Sequence, residues 1–424
     1  MKDFWNKISL VWNDKDLRGR VFFVFCMLVL FRLISNIPIP GVDALKLKQL
    51  FSSNQFFGLM NVFSGGGLHN LSLIMLGVGP YITSSIIMQL LTMIFPSMKE
   101  MYQEAGQAGR MKFAQYSRIL SVPLAMLQSF GFLALLQRQA VLSASLSTLD
   151  QVVNVFIITA GSVLLMWLGE LINEYGIGNG VSLIIFAGIV SRIPTSISQL
   201  VIKFDVSQIP VYIGFLVVAV AIIASVVVIT EAERPIPVTY AKRVRGLKVY
   251  GGVSTYLPLR LNQAGVIPII FALSILLFPQ MLVNFLSNVN NAVVAKIAEA
   301  LTFVVTNQII YGIAYFLLVI LFTYFYTAVT FDPEQIADNL QKGGAFIPGV
   351  RPGNPTSEYI AKIITRLTLF GSIFLGLIAV LPLIMTAVTG DSSLAIGGTA
   401  LLIVVSVVIE LVKQVDAQVA MREY

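Results

Sequence analysis

The stretch NQFFGLMNVFSGGGLHNLSLIMLGVGPYITSSIIMQLLTMIF, residues 54–95, decides the fold of this chain. Its first apolar piece, residues 56–63, is about eight residues long, whereas a helix needs about 20 residues to cross a bilayer core. The second apolar piece, residues 71–95, is long enough to cross, but the sequence GVGP at 77–80 interrupts it. Non-helical backbone at membrane depth is tolerated only inside protein or against a water-filled cavity. The stretch therefore predicts a helix bundle with an internal path and a short re-entrant half-helix folded into that path.

The composition indicates a membrane protein with several spans. Of the 424 residues, 57% are apolar and 12% are charged, which is about half the charged fraction of a typical soluble domain. Apolar runs of about 18 to 25 residues predict ten transmembrane segments and an all-α fold. We number them segments 1 to 10, and they span approximately residues 20–37, 70–95, 117–137, 151–171, 179–198, 209–230, 262–283, 302–329, 363–388 and 393–412.

The basic residues predict the orientation of these segments. With the N-terminus in the cytosol, 21 of the 28 Lys and Arg residues fall on the cytosolic side and six fall in outer loops. This bias follows the positive-inside rule, so the net charge of +7 requires no nucleic-acid partner. Both termini are therefore expected in the cytosol. Two cytosolic loops, residues 231–261 and 330–361, are longer than a bare connection requires, which favours a functional role for both.

A weak internal repeat divides the chain into two halves, residues 1–198 and 199–424. The sequences GVGPYI at 77–82 and GVIPII at 265–270 share the pattern G-V-x-P-x-I, and each lies in the second segment of a five-segment half. Because five is odd, the second half enters the membrane from the opposite side, which predicts an inverted repeat. Interrupted segments in corresponding positions of two inverted halves indicate a functional path at the interface between the halves.

The sequence argues against catalysis by this chain. Ionisable residues in the middle of membrane segments mark ion and proton pathways, and the segment centres contain almost none of them. The chain has one cysteine and one histidine, so neither an intrachain disulfide nor a histidine-based metal site is expected, and no cofactor is implied. A secondary transporter with an inverted five-segment repeat is the main alternative, although it needs a polar ion site that the segments lack. A passive insertion scaffold without a pore is a second alternative.

The predicted path offers aliphatic side chains instead. Val78 and Ile82 in segment 2 are four residues apart and therefore share a helix face, and Val181 and Ile185 repeat this spacing in segment 5. Ile270 is the repeat counterpart of Ile82. The ordinary role of such residues is to pack against lipid or another helix. A ring of them could instead close a pore by dewetting and contact a passing chain without binding it.

Four long motifs resemble the SecY family, whose members form the central subunit of the Sec protein-conducting channel. They are GPYITSSIIMQLL at 79–91, WLGELINEYGIGNGVSLIIFAGIV at 167–190, YGGVSTYLPLRLNQAGVIPIIFA at 250–272 and FDPEQIADNLQKGGAFIPGVRPG at 331–353. The similarity runs from about residue 10 to the C-terminus. It implies a channel that moves secretory polypeptides across the plasma (inner) membrane of a bacterium and releases apolar segments sideways into lipid. It also implies a clamshell of two halves around an hourglass pore.

The resemblance assigns residues to the parts of that channel. The aliphatic ring at the waist is Val78, Ile82, Val181, Ile185, Ile270 and Ile403. The plug is the short piece at about residues 54–70, with the candidates Phe56, Phe57, Leu59, Met60, Val62, Phe63, Gly65, Gly66 and Gly67. The lateral gate lies between segments 2 and 7 and includes Thr83, Gln128, Ser274 and Phe278.

The two long cytosolic loops match the family's docking surface for the ribosome and the SecA motor ATPase. The candidates are Lys242, Arg243, Arg245, Lys248 and Arg351. The other implied partners are the small membrane subunits SecE and SecG, signal peptides, unfolded secretory chains and membrane lipid. The chain has no GxxxxGK[ST] motif, so the driving force is expected to come from outside it. Two departures from the family pattern, the sequence RPIP at 234–237 and Leu247, leave the geometry of the first loop open.

Overall fold

The structure is a computed structural model, and it describes thirteen stretches of the chain. These are residues 12–40, 67–68, 71–138, 147–191, 193–202, 209–240, 243–245, 248–250, 254–286, 299, 301–303, 307–389 and 397–420. Within them the fold is mostly helical, as the sequence predicts.

The helices are labelled in chain order. The first seven are α1 (Lys15–Ile34), α2 (Gly79–Ile94), α3 (Pro96–Lys99), α4 (Gly106–Arg138), α5 (Thr148–Tyr175), α6 (Gly180–Val190) and α7 (Ile193–Ile202). A π-helical turn, Glu100–Glu104, joins α3 to α4. The remaining six are α8 (Ile209–Glu231), α9 (Ile267–Leu286), α10 (Gln308–Thr330), α11 (Pro333–Lys342), α12 (Asn354–Thr389) and α13 (Gly397–Ala420).

Several of these helices match the dimensions of a membrane. Five in the described stretches are long and apolar enough to cross a bilayer: α4, α5, α8, α10 and α12. A sixth span results if α2 and α3, which are bent by 119° relative to each other, are counted together. Shorter apolar helices occur at α6 and α9. The class of helical, polytopic membrane protein is therefore confirmed, while the total of ten segments stays a prediction.

Segment 2 is interrupted at the place that the sequence predicts. Residues 71–78 form turns, and α2 begins only at Gly79, with Pro80 in its first turn. Proline suits this position because its missing N–H group would have no helical partner there. The non-helical part of the segment therefore lies between the predicted plug and α2.

The start of α9 repeats this local geometry. Pro268 is the second residue of α9, as Pro80 is the second residue of α2. Gly77 and Gly265 each precede their helix by two residues and have φ angles of 61° and 62°. This left-handed region is open to glycine at little cost. The matching turns explain why the pattern G-V-x-P-x-I occurs in both halves.

Strands in the two long loops make the all-α expectation wrong for this part of the chain. They are β1 (Glu233–Tyr240), β2 (Arg243–Arg245), β3 (Lys248–Tyr250), β4 (Ser254–Arg260) and β5 (Ala345–Phe346). A sheet of order β4-β1-β5 is formed by antiparallel pairs, and β2 and β3 form a separate hairpin. Because β5 comes from the second loop, the sheet joins the two loops into one unit.

The physical reason for this sheet is an alternating apolar pattern. Ile236 and Val238 in β1 are buried and pack in an apolar cluster with Ile360 of α12. Residues two apart on a strand share one face, so the intervening prolines lie on the opposite face. Pro235 lies opposite Pro258 in the register of β1 and β4. Since proline donates no backbone hydrogen bond, this pairing limits the ladder and is compatible with a sheet edge.

Contacts between helices divide the transmembrane part into two groups. One connected group contains α1, α2, α4, α5 and α6, and the other contains α8, α9, α10, α12 and α13. The main contacts between the groups are those of α9 with α2 and α4, and those of α13 with α6.

Candidate functional site

All six predicted ring residues belong to, or pack against, the main apolar cluster of the described residues, although four different helical regions supply them. Val78, Ile82, Ile185, Ile270 and Ile403 are at most 8% exposed, and Val181 is partly buried against them. Val78 caps the start of α2, Ile82 lies one turn further on, and the others belong to α6, α9 and α13. We call these six side chains the ring residues. They come from both helix groups, so the cluster lies where the groups meet.

A hydrogen bond from α5 fixes the position of Val78. The Ser162 hydroxyl donates to the carbonyl oxygen of Gly77 at 3.0 Å, in a buried position. Gly161 permits the close approach, because a Cβ atom there would lie 2.1 Å from the carbonyl oxygen of Leu73. Such a short distance leaves no room for any side chain at this position. The turns before α2 are therefore held directly against α5.

A tight crossing of α5 and α6 positions the next two ring residues. A Cβ atom on Gly180 would lie 2.0 Å from the carbonyl oxygen of Gly169, so the two backbones touch. The Gly180 N–H group donates to Oδ1 of Asn173 at 2.7 Å, which satisfies one of the unpaired donors at a helix start. These contacts set the first turns of α6, which carry Val181 and Ile185.

The start of α9 is held by its own polar contacts. Nδ2 of Asn262 donates to the carbonyl oxygen of Gly265 at 3.2 Å, across the turn that precedes the helix. Ser274 donates its hydroxyl to the carbonyl oxygen of Ile270 at 2.9 Å, which satisfies this polar group within the helix. Ile270 is thus presented in the first turn of α9, as Ile82 is in α2.

The predicted gate residues lie on helices that contact one another. Thr83 is in α2, Gln128 is in α4, and Ser274 and Phe278 are in α9. The side chains of Thr83, Gln128 and Ser274 are partly buried, and Thr83 donates to the carbonyl oxygen of Gly79 at 3.0 Å. The side chain of Phe278 lies outside the described residues. The contact of α9 with both α2 and α4 brings the helices of the predicted gate together.

The predicted plug lies almost entirely outside the described residues. This holds for Phe56, Phe57, Leu59, Met60, Val62, Phe63, Gly65 and Gly66, whereas Gly67 is described. The carbonyl oxygen of Gly67 accepts hydrogen bonds from the backbone N–H and the hydroxyl of Ser72, at 2.9 and 3.0 Å. Leu68 and Leu71 are fully buried in a cluster with α4 and α5. The C-terminal end of the predicted plug segment is therefore anchored in the bundle.

Four of the five predicted docking residues are described, and they lie in the same two loops as the strands. Lys242 and Leu247 lie outside the described residues, while the backbones of Arg243, Arg245 and Lys248 form the hairpin of β2 and β3. Arg351 is exposed, and its carbonyl oxygen accepts a hydrogen bond of 2.8 Å from the Thr356 hydroxyl at the start of α12. The preceding Val350 packs against the apolar cluster under the sheet. Arg351 is thus held on the surface by a turn that is anchored on both sides.

Comparisons with known proteins identify the family of this chain. The family model described as SecY matches residues 72–412. The protein translocase subunit SecY of Corynebacterium glutamicum is 43% identical over 439 residues, which cover 98% of each chain. The chain belongs to the SecY family. As a SecY-family member it is a translocase subunit that forms a protein-conducting channel, and such a channel subunit is not an enzyme.

Solved structures agree with this fold. One, described as "The structure of a protein conducting channel", superimposes with a TM-score of 0.65 at 20% identity, covering 95% of this chain and 92% of that one. Another, "Sec61 in the Canine ribosome-channel complex from the endoplasmic reticulum", gives a TM-score of 0.63 at 18% identity and covers 96% and 93% of the two chains. At this level of identity the likeness shows the SecY channel fold. The transporter alternative is excluded by family membership.

Three polar residues that form hydrogen bonds next to ring residues were not among the sequence candidates. The side chains of Ser162, Asn173 and Asn262 each form a hydrogen bond with a backbone group close to a ring residue. Ionisable groups within the apolar segments are the usual mark of a functional path, whereas these three side chains are uncharged. An uncharged polar residue beside a glycine, as in Gly161-Ser162, is a signal that could have indicated such a contact.

Proposed function

We propose that secretory polypeptides cross the membrane through the space enclosed by the ring residues, and that apolar segments leave sideways between α2 and α9. The observation that carries this proposal is that all six predicted ring side chains belong to, or pack against, the same apolar cluster. They are distant in sequence, and they come from both groups of helices. An aliphatic constriction can exclude ions by dewetting and still slide over a polypeptide, because it offers no hydrogen bonds.

The helix contacts support a clamshell of two inverted halves, residues 1–198 and 199–424. Each group contains five helices, and the groups meet at α2 and α4 against α9 and at α6 against α13. The equal turns before α2 and α9 are a further sign of an internal repeat. We assign the lateral gate to the first meeting place, with Thr83, Gln128, Ser274 and Phe278 along it. The second meeting place then becomes the closed side of the clamshell.

A signal peptide supplies the free energy that opens the proposed gate. On insertion scales, an apolar core of about ten leucine-like residues gains roughly 3 to 6 kcal/mol in the membrane. This is enough to shift an equilibrium between two gate states that differ by a few kcal/mol. We further propose that the plug, residues 54–70, moves aside when the gate opens. Partition into lipid then decides whether a segment is secreted or inserted.

The two loops that contain the strands, residues 231–261 and 330–361, form the proposed docking surface on the cytosolic side. Lys242, Arg243, Arg245, Lys248 and Arg351 would contact the ribosome or the SecA motor, with both termini cytosolic and the chain in the bacterial plasma membrane. One solved structural neighbour is part of a ribosome-channel complex, which supports this assignment. The pairing of β1 with β5 joins both loops, and β4 leads into α9, so a push from a motor on this surface would reach α9. SecE and SecG complete the proposed assembly within the membrane.

Reconstitution tests the proposed function. The chain is placed in liposomes with SecE, SecG and SecA, and a radiolabelled secretory precursor with ATP is added outside. We expect the precursor to become protected from added protease only when ATP and an intact signal peptide are present. A precursor without its signal peptide is the matched control. Insertion of apolar segments without any protection of the secretory precursor would support the passive scaffold and contradict this proposal.

A further inference from the structure

The chain turns sharply at the end of α2. Phe95 has an extended backbone conformation, as expected for a residue before proline. The following α3 and the π-helical turn run at 119° to α2 and lead back to α4. Single π-helical turns are rare in proteins, and those that do occur are often found at functional sites.

The turn places Gln103 against the last turn of α10. Nε2 of Gln103 donates to the carbonyl oxygen of Val329 at 3.5 Å. The last carbonyl groups of a helix lack partners within the helix, so Gln103 supplies a donor where one is missing. At this length the hydrogen bond is weak. It nevertheless connects the segment after α2 to α10, which packs against α9.

Aromatic packing fixes the position of Gln103. The ring of the neighbouring Tyr102 packs on Phe113 of α4, with ring centroids 4.8 Å apart. Phe113 is buried, so the π-helical turn is anchored in the first helix group. Oε1 of Gln103 is buried without a hydrogen-bond partner among the described residues. Gln103 is thus anchored on the first helix group and hydrogen-bonded to α10 of the second group. This hydrogen bond must break when the two helix groups separate.

A second link between the two helix groups is apolar. Leu17 of α1 and Ile177, between α5 and α6, form a buried apolar cluster with Val419 of α13. Separating those side chains would expose apolar surface, which costs about 1.5 to 3 kcal/mol for a fully buried aliphatic side chain. A single hydrogen bond contributes a net stabilisation of only about 0.5 to 1.5 kcal/mol. The Gln103 link is therefore weaker than this apolar link, and it adds to the apolar contacts of α9 with α2 and α4.

We propose that Gln103 is a positioning residue that holds the cytosolic end of the gate closed and sets the threshold a signal peptide must exceed. The inference rests on the proposed function, because it assumes a gate between α2 and α9. Gln103 contacts no substrate in this account. It acts by linking the helix group of α2 to the end of α10, and a strong signal peptide overcomes that link.

The test compares four variants in the reconstituted channel with SecE, SecG, SecA and ATP. Gln103→Met keeps the size and removes the donor, and Gln103→Glu places a negative charge at the negative end of α10. Gln103→Lys keeps a donor and should be attracted to that helix end. The matched control is Gln107→Met, at an exposed glutamine of α4. The readout is export of a precursor with a weakened signal peptide, divided by export of the normal precursor.

The ratio should rise about two- to tenfold for Gln103→Met, as expected for one lost hydrogen bond, and at least as much for Gln103→Glu. For Gln103→Lys and Gln107→Met it should stay close to the original value. The proposal would be overturned if the export ratio were unchanged for both Gln103→Met and Gln103→Glu. It would also be overturned if the ratio rose as much for Gln103→Lys as for these two variants. Loss of export of the normal precursor in the unmodified channel would instead contradict the proposed function itself, so the two failures are distinguishable.

Discussion

Replacing Ile82 and Ile185 together with serine is expected to raise the resting ion conductance of the reconstituted channel by about tenfold or more. A tenfold change in conductance requires the free-energy barrier to ion passage to fall by only about 1.4 kcal/mol. Both side chains are buried among the ring residues, and they come from α2 and α6. Serine is smaller and polar, so two hydroxyl groups at the constriction should favour water where aliphatic groups exclude it.

Planar-bilayer recording measures this effect in the absence of any precursor. The control is Ile94→Ser, because Ile94 lies in the same helix as Ile82 and is 67% exposed. That variant should leave the resting conductance unchanged. A double variant at Ile82 and Ile185 that folds, binds its partner subunits and conducts no more than the original would remove the ring residues from the seal.

A covalent bond between α2 and α9 is expected to abolish export almost completely. The variant carries Thr83→Cys and Phe278→Cys, together with Cys26→Ser, since Cys26 is the one cysteine of the chain and is exposed. The two helices contact each other, and the proposed gate must separate them before a signal peptide can enter. A short crosslink therefore holds the gate closed, and reduction should restore export.

The length of the crosslink provides the control for this experiment. A long flexible bismaleimide between the same two cysteines should permit the helices to part and should leave most of the export activity. Each single-cysteine variant should be unaffected by the oxidant. Full export with the short crosslink complete, as judged on a gel, would disprove a lateral gate between α2 and α9.

Local patterns were enough to predict several local features of the chain. The four-residue spacing of Val78 and Ile82 and of Val181 and Ile185 indicated shared helix faces, and the structure places all four in one cluster. The interruption before Pro80 was predicted because glycine and proline act on their own backbone. These features depend on residues that are close in sequence, which is why they could be read from the sequence alone.

Features that depend on distant residues were not predicted. The hydrogen bond from Ser162 to Gly77 and the contact of Gln103 with Val329 join residues 85 and 226 positions apart. The sheet of the two loops was missed for a different reason. The alternation of Ile236 and Val238 with prolines is typical of a strand, but the sequence RPIP was interpreted only as a departure from the family. The strand β5, which brings the second loop into the sheet, has only two residues, too few to be recognised from the sequence.

The central claim is that a secretory chain passes through the ring residues, and crosslinking tests it most directly. A photoreactive amino acid is placed at Ile185, which is 1% exposed, or at Val228 in α8, which is 66% exposed. A precursor is then arrested halfway by a folded C-terminal domain and the sample is irradiated. We expect crosslinks to the arrested chain from position 185 and none from position 228. Equal labelling from both positions, or labelling from position 228 alone, would contradict a path through the ring residues.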